Sequence, residues 1–261
     1  MGKTGPNLSA LVVARNEEAQ LAACLGTLRF ADEIVVVLDR SADGSAKIAR
    51  RFKARLVEGA WPREGPRRKA GMDACKGDWI LEVDADERVS PALAAEIRAT
   101  LEWADAEISY GYFLVPMANY VGGRLVRFGW GAYNGVAAKP VLFRKGAKRV
   151  LGGRVHPKIA LKGKEGALAQ PLEHLVDRNL SDMIQRLNRY TDLAAADARE
   201  AGQKPRLARA MRRFFSRGWK SYIARQGHRE GAWGVALALF SALYPLLIDL
   251  KLATFKDGER G

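Results

Sequence analysis

Asp84 and Asp86 stand two residues apart, directly after the apolar run Trp79–Val83. One turn of backbone past a strand directs both carboxylates toward a single hard cation, and the pair then suits Mg²⁺ or Mn²⁺ bridging a diphosphate. Such an ion neutralises charge growing on a nucleotide leaving group, the Lewis-acid role. The same residues also serve as a solvated acidic turn ahead of the helix that Ser90 and Pro91 open as N-cap and first helical residue. An isolated pair of this kind leaves both readings standing.

Residues with this chemistry need strands to deliver them. Leu8–Ala14 is a short, β-branched apolar run that predicts a buried strand, and Glu17–Leu28 follows with helical spacing at Leu21, Leu25 and Leu28. Ile34–Leu38 repeats the strand signal and breaks at Asp39-Arg40-Ser41-Ala42-Asp43-Gly44-Ser45, after which Ala46–Phe52 reads as helix. Arg55–Val57 predicts a short strand, Gly65–Cys75 a basic helix and Trp79–Val83 a fourth strand. The alternation predicts an α/β fold, a mostly parallel sheet with helices on both faces and a ligand site beyond the carboxyl ends of the strands. Asn16, Asp39 and Asp84 all fall just past such ends. From Gly111 the texture turns to Gly, aromatic and basic residues, with strands expected at Tyr112–Val115 and Val141–Arg144; helices are expected at Asn179–Glu200, Pro205–Gln226 and Ala232–Phe255.

Three linked motifs, Asn16-Glu17, Ala31-Asp32-Glu33-Ile34-Val35-Val36-Val37 and Val83-Asp84-Ala85-Asp86-Glu87-Arg88, resemble in order and spacing the nucleotide-sugar half of family 2 glycosyltransferases, and especially the bacterial lipopolysaccharide-core glucosyltransferase-like branch. The likeness covers residues 8–103 well and continues more loosely to about Phe255. It implies a GT-A fold with a C-terminal helical extension: residues 1–110 as the nucleotide-sugar half, 111–178 as the acceptor-side half and 179–261 as a basic amphipathic helical region. It also implies a nucleotide-sugar donor and a divalent metal, Mg²⁺ or Mn²⁺. By the resemblance, Asp39 holds the base or ribose, Asp84 touches ribose or metal, and Asp86 binds the metal. Ala14 and Asn16 line the base pocket, although Asn16 also fits an N-cap and Asp39 an Asx turn. Asp43 is expected to cap the next helix. Arg68, with Arg67 and Lys69 beside it, approaches the diphosphate or belongs to a solvated basic face. Arg144 faces the donor site from a strand end.

An inverting transfer needs a base for the acceptor hydroxyl proton. Related sequences read His-Glu where this one has Val155-His156-Pro157-Lys158, so the expected Glu is missing. Glu173 and His156 are the candidate bases, with Asp177 also available; His174 is a candidate third metal ligand or a structural residue. Trp130 either stacks on an acceptor sugar or is a buried anchor.

Composition narrows the class. Hydrophobic residues at 48% and charged residues at 28% exclude a disordered chain. Cys24 and Cys75, the two cysteines, are too few for a disulfide scaffold, and Met1–Asn7 has no apolar signal core, so a cytoplasmic location is expected. Residues 1–110 carry 16 Lys and Arg against 18 Asp and Glu, whereas residues 111–261 carry 27 against 11, so the excess of basic charge lies in the second part. Nucleic acid and an anionic membrane surface both suit that asymmetry. Pro205–Gln226 sets Leu207, Met211, Phe214, Phe215, Trp219, Tyr222 and Ile223 at three- and four-residue steps, as in an interfacial helix or one docked on a core. Ala232–Ile248 is 17 residues without charge, interrupted by Pro245, which predicts an interfacial or re-entrant segment over a span. A peripheral enzyme serving a glycolipid or lipopolysaccharide-core acceptor accounts for both segments, and no nucleic-acid partner is then expected. A sugar-phosphate nucleotidyltransferase is the competing enzyme class, but Leu8–Glu18 lacks its Gly-rich phosphate loop; a basic nucleic-acid-binding module is the competing non-enzyme.

Overall fold

A computed structural model of the chain describes residues 7–106, 110–129, 137–151 and 158–254. It divides into two units: one holds the chain up to Ala118 and from Ala137 to His174, the other Asn119–Val136 and the chain from Leu175 onward. Strands from beyond residue 110, the expected division between the two halves of the domain, join the sheet of the first half.

In the first unit, β1 (Leu8–Ala14), α1 (Glu18–Thr27), β2 (Glu33–Asp39), α2 (Ser45–Arg51), β3 (Arg55–Gly59), α3 (Glu64–Ala74) and β4 (Trp79–Asp84) follow the expected alternation, and β5 (Glu87–Arg88) and α4 (Pro91–Ala106) come next. β3, β2, β1 and β4 lie side by side in that order and are parallel. β6 (Tyr110–Val121) crosses into the second unit, where its end pairs with β7 (Arg124–Leu125). β8 (Ala138–Arg144) is inserted antiparallel between β4 and β6. β9 (Lys148–Val150) and β10 (Ile159–Leu161) form a separate antiparallel pair, β11 (Lys164–Ala167) runs parallel to β6, and β12 (Leu172–Asp177) pairs antiparallel with β5.

The apolar run of β1 is buried along its whole length because successive side chains enter two different cores. Ala10, Val12 and Ala14 pack with Leu21, Leu25, Leu93 and Ile97. Leu11 and Val13 join Val35, Val37 and Cys75 on the other face. There α3 approaches closely: a Cβ on Gly71 would stand 2.6 Å from a Leu11 methyl and 2.7 Å from one of Val37. That approach fixes the first turns of α3 at the carboxyl ends of β1, β2 and β4.

The second unit is built on α5 (Leu180–Glu200), α6 (Leu207–Trp219) and α7 (Ala232–Thr254). Asn179 caps α5 by accepting the Asp182 N–H. The helix expected over Pro205–Gln226 is shorter and broken: α6 widens into a π-turn at Lys220–Ala224 and ends before a 3₁₀ turn at Gly227–Glu230. The wide turn carries Ser221 inward, where its hydroxyl donates to the Gly129 carbonyl at 2.6 Å. α7 continues through Pro245, so the expected interruption does not occur; the proline is buried with Leu237, Phe240 and Ala242 on the packed side of the helix. By length and composition α7 could cross a membrane, with 33% of its most apolar window buried.

Candidate functional site

β2 and β4 flank β1, so Asp39 and Asp84, each the last residue of its strand, lie two inter-strand spacings apart, and the register sets Asp39 two residues further along, about 12 Å away in all. α3 reaches both. Arg67 Nη1 is 3.4 Å from Asp39, and Arg68 Nη2 is 3.1 Å from Asp84. Arg68 also pairs with Glu64 at 2.6 Å and with buried Glu82, so the expected diphosphate-side arginine is drawn into the sheet by three carboxylates. Burial opposes its charge, but Glu82 and Asp84 hold it well above the ordinary range. Lys69 points elsewhere, to Asp73, on an exposed face.

Asp39 is 3% exposed and accepts from the Trp61 N–H at 3.0 Å and from both Arg40 and Arg67. It is therefore no Asx turn-former. Burial favours its neutral form, yet the Arg40 and Trp61 hydrogen bonds lower its pKa below the usual value. Asp43 forms the Asx turn instead, accepting the Ser45 N–H at 3.1 Å and, from the start of α1, the Glu18 N–H at 2.9 Å. Asn16 is no N-cap: its Oδ1 accepts the Ala42 N–H at 2.9 Å and ties the loop after β1 to the loop after β2. Asn16 and Arg40 both take left-handed backbone, φ 56° and 49°, and both stand at this edge, where strained backbone marks candidate sites.

The acidic turn after β4 is enclosed. Glu87, 1% exposed, accepts the Asp84 N–H at 2.9 Å and the Lys139 ammonium at 2.8 Å. Burial and the charge of Asp84 push Glu87 up to about 7. Asp84 itself is driven far down: desolvation works against its charge, but Arg68 and Lys139, the latter at 3.8 Å, outweigh it. Asp86, 32% exposed, faces His174 Nε2 at 3.4 Å. Burial disfavours the imidazolium, but the hydrogen bond and charge of Asp86 raise the His174 pKa above 6.5.

Asp84, Asp86 and His174 thus come together, though not as a closed metal shell: among the described residues no three His, Cys, Asp or Glu are arranged to hold an ion alone. Their chemistry still fits a hard cation, since Mg²⁺ is bound by one or two carboxylates with the remaining positions filled by phosphate oxygens and water. His174 stands here as a partner of Asp86 and would have to give up that proton to become a ligand.

Two expectations are corrected by position and a third is narrowed. Arg144 ends an antiparallel strand, so its register partner is Trp79 at the start of β4, on the opposite edge of the sheet. There it donates to the Tyr110 and Ala104 carbonyls, each at 2.9 Å, and covers the Trp79 ring. The Ala14 methyl lies in the core and leaves only backbone for a ligand. Glu173 is opposite Arg88 and His174 is opposite Glu87 across β12 and β5, so alternation turns Glu173 away from the acidic turn. In the second unit Asp177 is buried against Arg186 at 2.7 Å. His156 and Trp130 lie outside the described residues. Lys139, Glu87, Glu82 and Lys148 were not expected at the site. Glu87 belongs to the acidic motif itself, whereas nothing near Lys139 or Lys148 in the sequence marks them.

Residues 9–153, more than half of the chain, match a family model described as Glycosyl transferase family 2. The chain is 27% identical over 267 residues to the lipopolysaccharide core biosynthesis glycosyltransferase LpsC of Rhizobium meliloti (strain 1021), covering 94% of this chain and 91% of that protein. It is 34% identical over 91 residues to an uncharacterized glycosyltransferase of Rickettsia bellii (strain RML369-C), covering 34% of this chain and 31% of that one. Among solved structures it is similar, at a TM-score of 0.37 and 22% identity over 46% of each chain, to glucosyl-3-phosphoglycerate synthase from Mycobacterium tuberculosis in complex with Mn²⁺, uridine diphosphate and glucosyl-3-phosphoglycerate.

Proposed function

The chain belongs to glycosyl transferase family 2 and is a glycosyltransferase of GT-A fold, and on that premise we propose that it carries out a metal-assisted, inverting transfer from a nucleotide sugar to a lipid-borne saccharide of the lipopolysaccharide-core kind. The similarity to LpsC along nearly the whole chain supports the acceptor class. The observation that carries the reading is the alignment of Asp39 and Asp84 by adjacent arginines of one helix, beside the acidic turn that presents Asp86.

Asp39 and the Asn16 loop bind the nucleoside at the ends of β1 and β2. Arg68 and Lys139 fix Asp84, so the backbone of the acidic turn does not move as the donor enters. Asp86, with Asp84 behind it, would hold Mg²⁺ or Mn²⁺ against the diphosphate, and the ion when bound supplies Lewis-acid stabilisation of the departing charge. The first turn of α3 adds the partial positive charge of a helix N-terminus on the same side. Inversion requires the acceptor hydroxyl to lose its proton while it attacks the face opposite the diphosphate. Glu173 is level with Arg88 of β5 and turned from the acidic turn, which leaves His156 as the proposed base.

Asp86→Asn tests the reading, because it removes the ligand charge at a partly exposed position. Nucleotide sugars with Mn²⁺ at about 100 times Kd are expected to stabilise the native protein by about 2.7 kcal/mol, a rise in Tm of about 5 °C or more. The variant should keep its own Tm, lose the metal-dependent rise and lose transfer by about 100-fold or more. Full activity in Asp86→Asn would end the metal-assisted reading.

A further inference from the structure

α6 docks on α7 through its small residues. Ala210 is buried, a Cβ on Gly218 would meet the Ala242 Cβ at 3.5 Å, and Ser221 is buried on Gly129. Five large apolar residues are on the outside, while Phe214 and Tyr222 are half-buried. Leu207, Met211, Phe215, Trp219 and Ile223 follow one another at four-residue steps, and Phe215 and Trp219 are 65% and 66% exposed. A four-residue step drifts about 40° around an α-helix, so the row winds slowly across the outer face. A helix whose aromatic residues served only its own core would present them to α7; this one presents glycine and alanine there.

Every charged residue exposed on the same helix is basic. Arg209, Arg212 and Lys220 are exposed beside the row. Residues 206–229 contain eight Lys or Arg and no Asp or Glu. A second copy of the chain laid on this face would bring these cations against their counterparts, so the occupant must be anionic. An apolar row edged by cations matches the acyl boundary and headgroups of an anionic leaflet. α7, although apolar enough to span, has other duties: Phe240 and Leu237 form the core of the unit, and its last turns are tied by Lys251 to Asp192 at 2.6 Å and by Asp249 to the Arg206 N–H at 2.7 Å.

We infer that the exposed face of α6 lies flat on an anionic lipid leaflet, with Phe215 and Trp219 in the acyl boundary and Arg209, Arg212 and Lys220 among the headgroups, while α7 stays packed in the protein. The inference deepens the reading of a lipid-borne acceptor, since it names the surface that brings the enzyme to that acceptor.

The test uses the full chain and vesicles of phosphatidylcholine with or without about 30% phosphatidylglycerol. Co-sedimentation is expected with the anionic vesicles only, and about 0.5 M NaCl should release most of the protein because it screens the headgroup contacts. The double variant Phe215→Ser/Trp219→Ser should partition at least about tenfold more weakly, as should Arg209→Glu/Arg212→Glu. All four positions are exposed, and circular-dichroism melts matching the native protein will establish that the variants fold. Val235→Ser on α7, also exposed, should bind as the native chain does. Failure of the native chain to sediment overturns the inference, as does unchanged partition of the aromatic double variant. So does dispersal by that variant of a dimer seen in sedimentation velocity, or of a complex with an acidic protein in the absence of lipid. The nucleotide thermal shift is measured on the same samples: its loss with vesicle binding intact would refute the transfer reading alone, and the converse would refute only the membrane face.

Discussion

Lys148→Met strikes the charge network one step behind the acidic turn. Glu82 lies on β4 two residues before Asp84, and its carboxylate is 3% exposed. Lys148 donates to it at 2.6 Å and Arg68 pairs with its other oxygen. Burial alone would raise the Glu82 pKa; Lys148 and Arg68 overcome that and lower it from 4.5 to about 2. Because the folded value lies below the unfolded one, the stabilisation is complete above pH 4.5 and is lost as pH falls toward 2. At about 1.4 kcal/mol for each tenfold change in proton affinity, the network contributes about 3 kcal/mol at neutral pH. Methionine keeps the length of the side chain but removes one of the two cations, and with it the ammonium that lies over the Phe143 ring. With Arg68 still in place, the expected loss is near the lower end of the range for a broken buried pair, about 3 kcal/mol. Urea unfolding at neutral pH measures it, and between pH 4.5 and 2 the variant's stability should fall less steeply than that of the native chain. Glu82, left with Arg68 alone, should also draw that arginine from Asp84 and weaken nucleotide binding. Glu82→Gln added to Lys148→Met should restore stability in part. A single variant within about 0.5 kcal/mol of the native chain, or strictly additive effects in the double, would refute the network.

Two further substitutions probe how the site is positioned. Gly71→Ala should cost about 1–3 kcal/mol in urea unfolding, because its methyl overlaps Leu11 and Val37 and lifts α3, and with it Arg67 and Arg68, from the sheet; a smaller nucleotide thermal shift should accompany the loss. Asn16→Ala should cost about 2 kcal/mol, about half from the Ala42 hydrogen bond and half from the left-handed backbone. Asn16→Gly relieves the second part, so equal losses in the two variants by urea unfolding would show that the backbone conformation contributes nothing.

The first half of the fold was legible because its signals are local. The run at β1 and its repeat at β2 announce buried strands, and loop residues at their ends announce an edge where Asn16, Asp39 and Asp84 meet. What the sequence hid depends on long-range placement. β12 is too short and polar to be read as a strand, so the opposite directions of Glu173 and His174 could not be foreseen. Arg144 follows an apolar run much as Asp84 does, but β8 is antiparallel, and direction in a sheet leaves no mark in a single strand's sequence. Lys139 and Lys148 become site residues only because β8 and β9 carry them to carboxylates 52 and 66 residues away. On α6, periodicity correctly identified the amphipathic pattern; which side is inward was decided by Ala210, Gly218 and Ser221, small residues with little hydrophobic signal.

Charge balance at the acidic turn bears on the proposed metal. Glu82, Asp84, Asp86 and Glu87 are set against three fixed cations, Arg68, Lys139 and Lys148, while Glu64 is shared by Arg67 and Arg68. With Glu87 titrating near 7, these four carboxylates and three cations sum to between zero and one net negative charge, so no cation is left over for a donor. A diphosphate brought alongside adds more, and two like charges 4 Å apart repel by about 4 kcal/mol at an effective dielectric constant of about 20. Arg68 and Lys139 cannot relieve this by turning to the diphosphate, because Asp84 and buried Glu87 would then be left without the cations that keep them ionised or hydrogen-bonded. A divalent ion on Asp86, as proposed, would supply the missing charge and disturb neither. Under the proposed reading the two aspartates divide the work: Asp84 is the fixed member, clamped by Arg68 and Lys139, and Asp86, partly exposed and paired with a histidine, would be the one to meet the ion.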